Sequence, residues 1–164
     1  FGIGKKYIFC QRHLPRLKTV KGTEIKMAKL YDSKCYCTNI RRSANVLTEY
    51  YNKGLEDTGL SVAQYYLLIN LKRLERANIT HWAERVGLDR STMVRNIKNL
   101  TERELIFLTE GQGKTYALTD KGKDVVEMAA AEWERIQKNL EVFLGPEDSE
   151  AILRIGRKLQ ELRE

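Results

Sequence analysis

The side chains best suited to recognise another molecule lie between Asp89 and Leu100. At 100° per residue, a helix through this segment turns one polar, basic side away from an apolar side. The polar side carries Ser91, Thr92, Arg95, Lys98 and Asn99. The apolar, core-facing side is expected to comprise Met93, Val94, Ile97 and Leu100. Hydroxyl and guanidinium groups hydrogen-bond base edges in the DNA major groove, and basic groups contact phosphates, so the segment predicts contact with duplex DNA.

Two thiols, Cys35 and Cys37, stand near the start of the first predicted helix. The positive end of a helix lowers the pKa of a thiol and favours the reactive thiolate. Two residues apart on a helix, their Cβ atoms diverge by about 200°, so the two are not expected to bridge each other. Two interpretations stay open: redox sensing by one thiol, or packing of Cys37 as a small apolar residue with Cys35 incidental.

Metal binding and catalysis find little support in the chain. Cys10-x-x-His13 and Cys35-x-Cys37 supply four nominal zinc ligands, but a one-residue spacer is shorter than zinc sites use. The sequence holds no nucleophile elbow, zinc-protease, phosphate-loop or dinucleotide motif, and its two histidines offer few general bases. We therefore predict no metal, no cofactor and no enzymatic activity.

The formal charge of +7 is unevenly distributed along the 164 residues. Residues 1–30 carry all of this charge, and we expect them to form a basic extension. Either the native chain starts at Met27 and the preceding residues are an addition, or the extension contacts DNA phosphates. Residues 31–164 are neutral overall and are expected to form one domain. Within them, residues 72–103 carry a net +4, so a site for a polyanion is expected on that central segment.

Two broad classes of protein are excluded by simple patterns. The longest uncharged apolar run, residues 65–71, is far shorter than the ~20 residues of a membrane-spanning helix. Three cysteines are too few, and odd in number, for a secreted disulfide framework. We therefore expect a cytoplasmic protein.

The elements that must position the candidate residues follow from apolar spacing and capping residues. An amphipathic helix is predicted over 33–57, and Ser61 with Gln64 forms a capping box that starts a second helix. Thr80 is predicted to cap a short helix that Gly87 ends, and Asp89 to cap the next. A short helix, a glycine turn and a longer helix with a basic outer face are typical of a helix-turn-helix.

A β-hairpin and two further helices are predicted after Leu100. Residues 105–109 and 114–118 suit strands and flank a glycine-rich joint, so they predict a wing whose Lys114 can contact phosphate. Thr119 is expected to cap a helix over 120–144, which Gly145-Pro146 ends, and a last helix covers 147–163. The predicted fold is mainly α with a small β wing, the winged helix-turn-helix occupying 61–119. Apolar stripes on 120–144 and 147–163 predict self-association.

Four stretches, in this order, resemble the multiple antibiotic resistance regulator (MarR) family of bacterial winged-helix regulators. They are Cys35–Arg42, Gly59–Tyr65, Ala83–Thr92 and Ala117–Gly122, and the resemblance spans about residues 35–162. It implies a homodimer in which the first and the last two helices, 33–57, 120–144 and 147–163, interleave. It also implies binding to a pseudo-palindromic operator, as a repressor, in a bacterial or archaeal cell. It also implies release from DNA by a small ligand or by oxidation of a cysteine near the start of the first helix.

The resemblance also assigns roles to individual residues. Ser91, Thr92 and Arg95 match the family's base-reading positions, and Arg90 matches the flanking basic position. The wing departs from the family, because Gln112-Gly-Lys114 stands where an Asp-x-Arg pattern is common. A lysine does not replace a guanidinium in a narrow minor groove, so Lys114 is expected to contact phosphate. The alternative function is a winged-helix module that docks on a protein without sequence-specific DNA binding.

Overall fold

The computed structural model describes residues 33–110 and 113–163. The predicted basic extension 1–30, with Cys10, His13 and Met27, lies outside the described residues, as does Gln112. Within these ranges the chain forms five helices: α1 (Tyr36–Gly54), α2 (Val62–Leu74), α3 (Ile79–Val86), α4 (Arg90–Glu102) and α5 (Asp120–Gln160). Three strands, β1 (Ala77–Asn78), β2 (Ile106–Leu108) and β3 (Thr115–Leu118), form one antiparallel sheet in the order β1-β3-β2. Short 3₁₀ turns occupy Glu56–Thr58 and Glu161–Arg163. The predicted mainly helical fold with a small β wing is confirmed.

The chain divides into two units, one up to Ser43 and one from Ala44 onward. In the first unit, the Cys35 backbone N–H donates to the Ser33 hydroxyl at 3.2 Å, and the Asn39 side-chain amide donates to the Ser33 carbonyl at 2.7 Å. These bonds hold the chain just ahead of α1, which begins at Tyr36 and ends at Gly54, inside the predicted range 33–57. No residue of α1 is fully buried, but its predicted apolar stripe is partly covered, because Tyr51 packs against the core and Leu55, just beyond the helix, is buried.

The hydrophobic core of the second unit lies among α2, α3, α4, the first half of α5 and the sheet. Its largest fully buried side chain, Trp82 of α3, is 0% exposed and donates its indole N–H to the Leu67 carbonyl of α2 at 3.2 Å. The buried polar Asn70 donates to the Tyr66 carbonyl at 2.8 Å. Because its indole N–H is hydrogen-bonded, Trp82 packs on α2 without the cost of an unpaired buried donor.

Three of the four predicted helix caps are confirmed. Ser61 and Gln64 form the predicted capping box, Asp89 accepts from the Thr92 N–H, and Thr119 accepts from the Gly122 N–H. The predicted cap of α3 by Thr80 is wrong, because Asn78 accepts from the His81 N–H at 2.9 Å instead.

The physical reason for the different cap is strand β1. Ala77 pairs with Tyr116 and Asn78 with Thr115, so the backbone of Asn78 is extended, with φ −77° and ψ 164°. An extended residue directly before a helix is in the cap conformation, and its side-chain oxygen reaches the N–H three residues on. Thr80 therefore lies within the first turn of α3.

The predicted hairpin after α4 is present. Its two strands are paired with Ile106 opposite Leu118 and Leu108 opposite Tyr116. Beyond the ladder, the Thr109 N–H donates to the Thr115 carbonyl at 2.8 Å. The hairpin is the wing of the fold, and residues 105 and 106 at its base are buried.

The long helix α5 is broken where the sequence predicts it. Gly145 has φ 76° and ψ 170°, outside the helical region, and Pro146 follows it. The break separates the predicted segments 120–144 and 147–163, the second of which is α-helical only as far as Gln160. In residues 33–110 and 113–163, no helix has the length and apolarity needed to cross a membrane.

Candidate nucleic-acid interface

Helix α4 buries one side and exposes the other. Met93, Ile97 and Leu100 are buried, whereas the predicted contact residues Arg90, Ser91, Arg95, Lys98 and Asn99 are exposed and Thr92 is half-buried. The prediction that Val94 faces the core is wrong, since 46% of it is exposed. Val94 lies about 100° around the helix from Met93, too far to share its buried side.

A tight turn sets α4 against α3. Gly87 ends α3 in the left-handed conformation, with φ 69°, and its N–H donates to the Ala83 and Glu84 carbonyls. Two residues later Asp89 starts α4, so the connection is short and leaves little freedom between the helices. Arg90 adds a side-chain tie by donating to the Thr80 hydroxyl at 2.9 Å. That bond uses one of the five N–H donors of the guanidinium.

Asp89 organises the first turn of α4. Its carboxylate accepts from the Thr92 N–H at 2.8 Å, the Thr92 hydroxyl at 2.6 Å and the Ser91 hydroxyl at 2.5 Å. These bonds stabilise the charged form, so the pKa of Asp89 is far below its usual range, with the Ser91 hydroxyl the largest cause. Because both hydroxyls donate to Asp89, the lone pairs of Ser91 and Thr92 remain as acceptors.

The remaining predicted residues of α4 differ in their surroundings. Arg95 donates to the Thr92 hydroxyl at 3.2 Å and is otherwise exposed on the outer face. Lys98 pairs with Glu102 at 3.8 Å, an exposed pair that holds the ammonium only weakly. Asn99 accepts from the Gln64 side-chain amide at 3.0 Å, so its oxygen is directed to α2.

Sequence reasoning missed a polar network that holds α4 in place. Arg103 donates to the Gln64 side-chain oxygen at 3.1 Å and to the Gly59 carbonyl at 2.9 Å. Gln64 thus joins Ser61, Arg103 and Asn99, although the sequence identified it only as a capping residue. The only sequence signal was the capping box itself. Its glutamine uses the side-chain oxygen for one backbone N–H, which leaves a lone pair and the NH₂ group available for other partners.

The seventh predicted contact, Lys114, lies on the wing and not on α4. It is exposed and directly precedes β3, next to Gly113, which has φ 93°. The structure therefore places six predicted contact residues on one helix and one on the wing.

Both described cysteines, Cys35 and Cys37, are exposed and unbridged. Within the single chain, Cys37 therefore does not pack as a small apolar residue. Cys35 immediately precedes α1, and hydrogen bonds from the hydroxyl and the backbone of Thr38 lower the pKa of its thiol. Among residues 33–110 and 113–163, no cluster of three or more His, Cys, Asp and Glu side chains could hold a metal ion.

A concave surface lies between α2 and α5. It encloses about 430 Å³ and is lined by Val62, Ala63, Tyr65, Tyr66, Ile69, Arg73 and Trp133. The Tyr65 and Trp133 rings stack in it with centroids 6.2 Å apart. Burial raises the pKa of Tyr65, against the opposing effect of the nearby Arg73 charge. The groove is thus aromatic and apolar, with one guanidinium at its edge.

No protein-family model matches this chain. The HTH-type transcriptional regulator SarZ of Staphylococcus epidermidis is 28% identical over 99 residues, which cover 58% of this chain and 67% of SarZ. The transcriptional regulator MosR of M. tuberculosis, solved in complex with DNA, is 25% identical with a TM-score of 0.68, over 80% of this chain and 100% of MosR.

Two further solved structures share the fold at lower identity. The transcriptional repressor CouR, bound to p-coumaroyl-CoA, has a TM-score of 0.72 at 22% identity, over 88% of this chain and 97% of CouR. Sco5413, a MarR-family transcriptional regulator from Streptomyces coelicolor, has a TM-score of 0.69 at 20% identity, over 85% of this chain and 95% of its own. Each of these proteins is a regulator, which bears out the prediction that the chain is not an enzyme. The chain has the winged-helix fold of MarR-family transcriptional regulators, and the resemblance indicated by its sequence is confirmed.

Proposed function

We propose that this protein represses transcription by binding a pseudo-palindromic DNA operator as a homodimer. The observation that carries the proposal is the exposed face of α4, where Ser91 and Arg95 project from a helix fixed by α2, α3 and the wing. The likeness to MosR in complex with DNA supports it. In a two-fold dimer the two copies of α4 would enter major grooves about one helical turn, roughly 10 bp, apart.

The dimer itself is proposed from apolar surface. Val142 is 81% exposed, and Phe143 and Leu153 are also largely exposed, while α1 has no buried residue. Such large apolar side chains are stabilised when a second copy removes them from water. We assign dimerisation to 33–57, 120–144 and 147–163, and DNA binding to the winged helix-turn-helix over 61–119.

We assign base reading and phosphate contact to different side chains. Arg95, with Ser91 and Thr92, is assigned to base edges, because these residues lie on the outer face of α4. Arg90, Lys98 and Lys114 are assigned to the DNA backbone, where a positive charge is sufficient. Asn99, which is bonded to Gln64, is assigned to holding α4 at its contact with α2.

The groove between α2 and α5 is the proposed effector site. Stacked Tyr65 and Trp133 suit a flat ring, and Arg73 at the edge suits a carboxylate. CouR bound to p-coumaroyl-CoA supports ligand control in this fold. An aromatic acid bound here would contact both α2, which holds α4 through Gln64, and α5.

Oxidation of a cysteine is the second proposed route of release. The thiolate of Cys35 is favoured by Thr38, and the thiol is exposed. A peroxide would convert the thiolate to a sulfenic acid, which a further thiol condenses to a disulfide that reductant reverses. Operator affinity should then fall on peroxide treatment and recover with dithiothreitol, but not change in the Cys35→Ser Cys37→Ser variant.

The proposal is tested by selecting sites for the purified full chain from genomic fragments and then measuring affinity by fluorescence anisotropy at several salt concentrations. A selected palindrome, a salt-dependent affinity and a dimer in sedimentation at micromolar concentration are expected. A monomer that selects no palindrome would refute the proposal. Binding that is absent or insensitive to salt would favour the protein-docking alternative.

The two tryptophans make the effector proposal separately testable. Trp133 lines the groove, whereas Trp82 is fully buried. Titration with benzoate and 4-hydroxybenzoate should quench fluorescence in the parent and in Trp82→Phe, but not in Trp133→Phe. Equal quenching in Trp133→Phe would place the ligand elsewhere.

A further inference from the structure

Val94 is an apolar side chain on the polar outer face of α4. Its helix neighbours Met93 and Ile97 are almost completely buried, yet 46% of Val94 is exposed. A single exposed valine needs no explanation on an ordinary helix surface. The exposure of Val94 is informative because it lies on the face of α4 that is assigned to DNA.

Val94 lies within the surface assigned to DNA. Ser91 is three residues before it, Arg90 four before and Arg95 directly after, and the four side chains line one shallow hollow. Residues three and four apart on a helix are surface neighbours. The valine methyl groups therefore stand between a hydroxyl and two guanidiniums, at the point where α4 would meet the base edges.

We propose that Val94 contacts the C5-methyl group of a thymine in each operator half-site, an inference that rests on the proposed function. Among the base edges of the major groove, only thymine presents an apolar group. An amino or carbonyl edge placed against Val94 would lose its water without gaining a hydrogen bond, which disfavours cytosine and guanine there.

The neighbouring Ser91 is compatible with the assignment. Its hydroxyl hydrogen is engaged by Asp89, so the oxygen offers lone pairs to an amino group on a base. Adenine N6 and cytosine N4 are both such groups, so Ser91 accepts from either base. The preference for an A·T pair at this point of the operator therefore rests on Val94.

The test removes the methyl group and not the base. In the selected operator, each thymine is replaced in turn by deoxyuridine, which lacks only the C5-methyl group, and the affinity of the parent is measured. Loss of one buried methyl contact should weaken binding about fourfold per half-site, or roughly fifteenfold when both half-sites are changed. The effect should be confined to one thymine position in each half-site.

The variant Val94→Ala should bind the parent operator more weakly and should no longer distinguish thymine from deoxyuridine at that position. Because Val94 is exposed and alanine favours helix, this variant is expected to fold, as circular dichroism can verify. Val94→Ile, which keeps a branched apolar side chain, should retain the discrimination.

The outcomes separate this inference from the function on which it rests. If the protein binds no duplex, the proposed function fails. If the operator is bound but no thymine is sensitive to deoxyuridine, or Val94→Ala keeps the full effect, the proposed function stands and the contact is refuted. An equal loss of affinity by Val94→Ala on operator and random DNA would also refute it.

Discussion

Replacing Gly122 by alanine should destabilise the protein, although alanine is normally the better helix former. Gly122 is buried in the first turn of α5, against the backbone of Leu105. A Cβ there would stand 3.0 Å from the Leu105 carbonyl carbon and 3.3 Å from its Cα, with the carbonyl oxygen nearer still. Backbone cannot move aside as a side-chain tip can, so α5 and the base of the wing must separate.

The size of the effect follows from what that separation breaks. The same Leu105 oxygen accepts from the Thr119 N–H at 3.1 Å, and losing that bond costs about 1 kcal/mol. Strain from the added methyl group contributes about 1–3 kcal/mol, and the higher helix propensity of alanine returns about 0.5–1 kcal/mol. The free energy of unfolding should therefore fall by about 1–3.5 kcal/mol.

Urea unfolding followed by circular dichroism measures this change, and two other glycines of the same chain serve as controls. Gly156 has open space around its Cβ position, so Gly156→Ala should raise the free energy of unfolding by about 0.5–1 kcal/mol. At Gly54 the obstacle is the δ1 methyl of Ile136, a flexible tip, so Gly54→Ala should cost less than Gly122→Ala. A Gly122→Ala protein as stable as the parent would contradict the argument.

Further predictions concern the DNA surface, the polar network and the thiol. Arg95→Ala should cost about 1–3 kcal/mol of operator binding and relax the preference at one base position, whereas equal loss on random DNA would reject base reading. Lys114→Ala should weaken binding to all sequences alike and reduce the slope of log affinity against log salt by about one. Gln64→Ala removes a hydrogen-bond partner from Ser61, Arg103 and Asn99 and should lower the free energy of unfolding by about 1–3 kcal/mol in urea titrations. Because its pKa is lowered, Cys35 should reach half of its maximal alkylation rate at a lower pH than a free thiol, and an unshifted profile in the Cys37→Ser variant would contradict that cause.

Local interactions made most of the elements predictable from the sequence. The capping box at Ser61, the cap at Asp89 and the break at Gly145 each depend on residues within a few positions, so composition and spacing reveal them. The cap at Asn78 depends on pairing with β3, almost forty residues away, and a two-residue strand shows no alternation by which to detect it.

The candidate surface was predictable in outline but not in detail. Apolar spacing identifies the side of α4 that faces the core, but Met93 and Val94 are adjacent and equally apolar. Which of the two is buried depends on the rotation of α4 about its own axis, and packing in the assembled core sets that rotation. Long-range bonds such as Arg103 to Gln64 follow from the same packing and leave no local pattern.

The start of α5 is hydrogen-bonded to the residues that directly follow α4, so we expect the two helices to move together. The Thr119 hydroxyl donates to the Glu104 carbonyl at 2.7 Å, and the Lys121 ammonium donates to the Arg103 carbonyl at 3.0 Å. From Asp120 to the break at Gly145, α5 extends about 37 Å, and α4 about 20 Å. When the two helices move together, a tilt of only about 5° in this part of α5 would displace the far end of α4 by about 1.7 Å. That shift exceeds the roughly 0.5 Å range of good hydrogen-bond lengths, so in the proposed operator complex a slight change of angle in α5 would be enough to separate α4 from the bases.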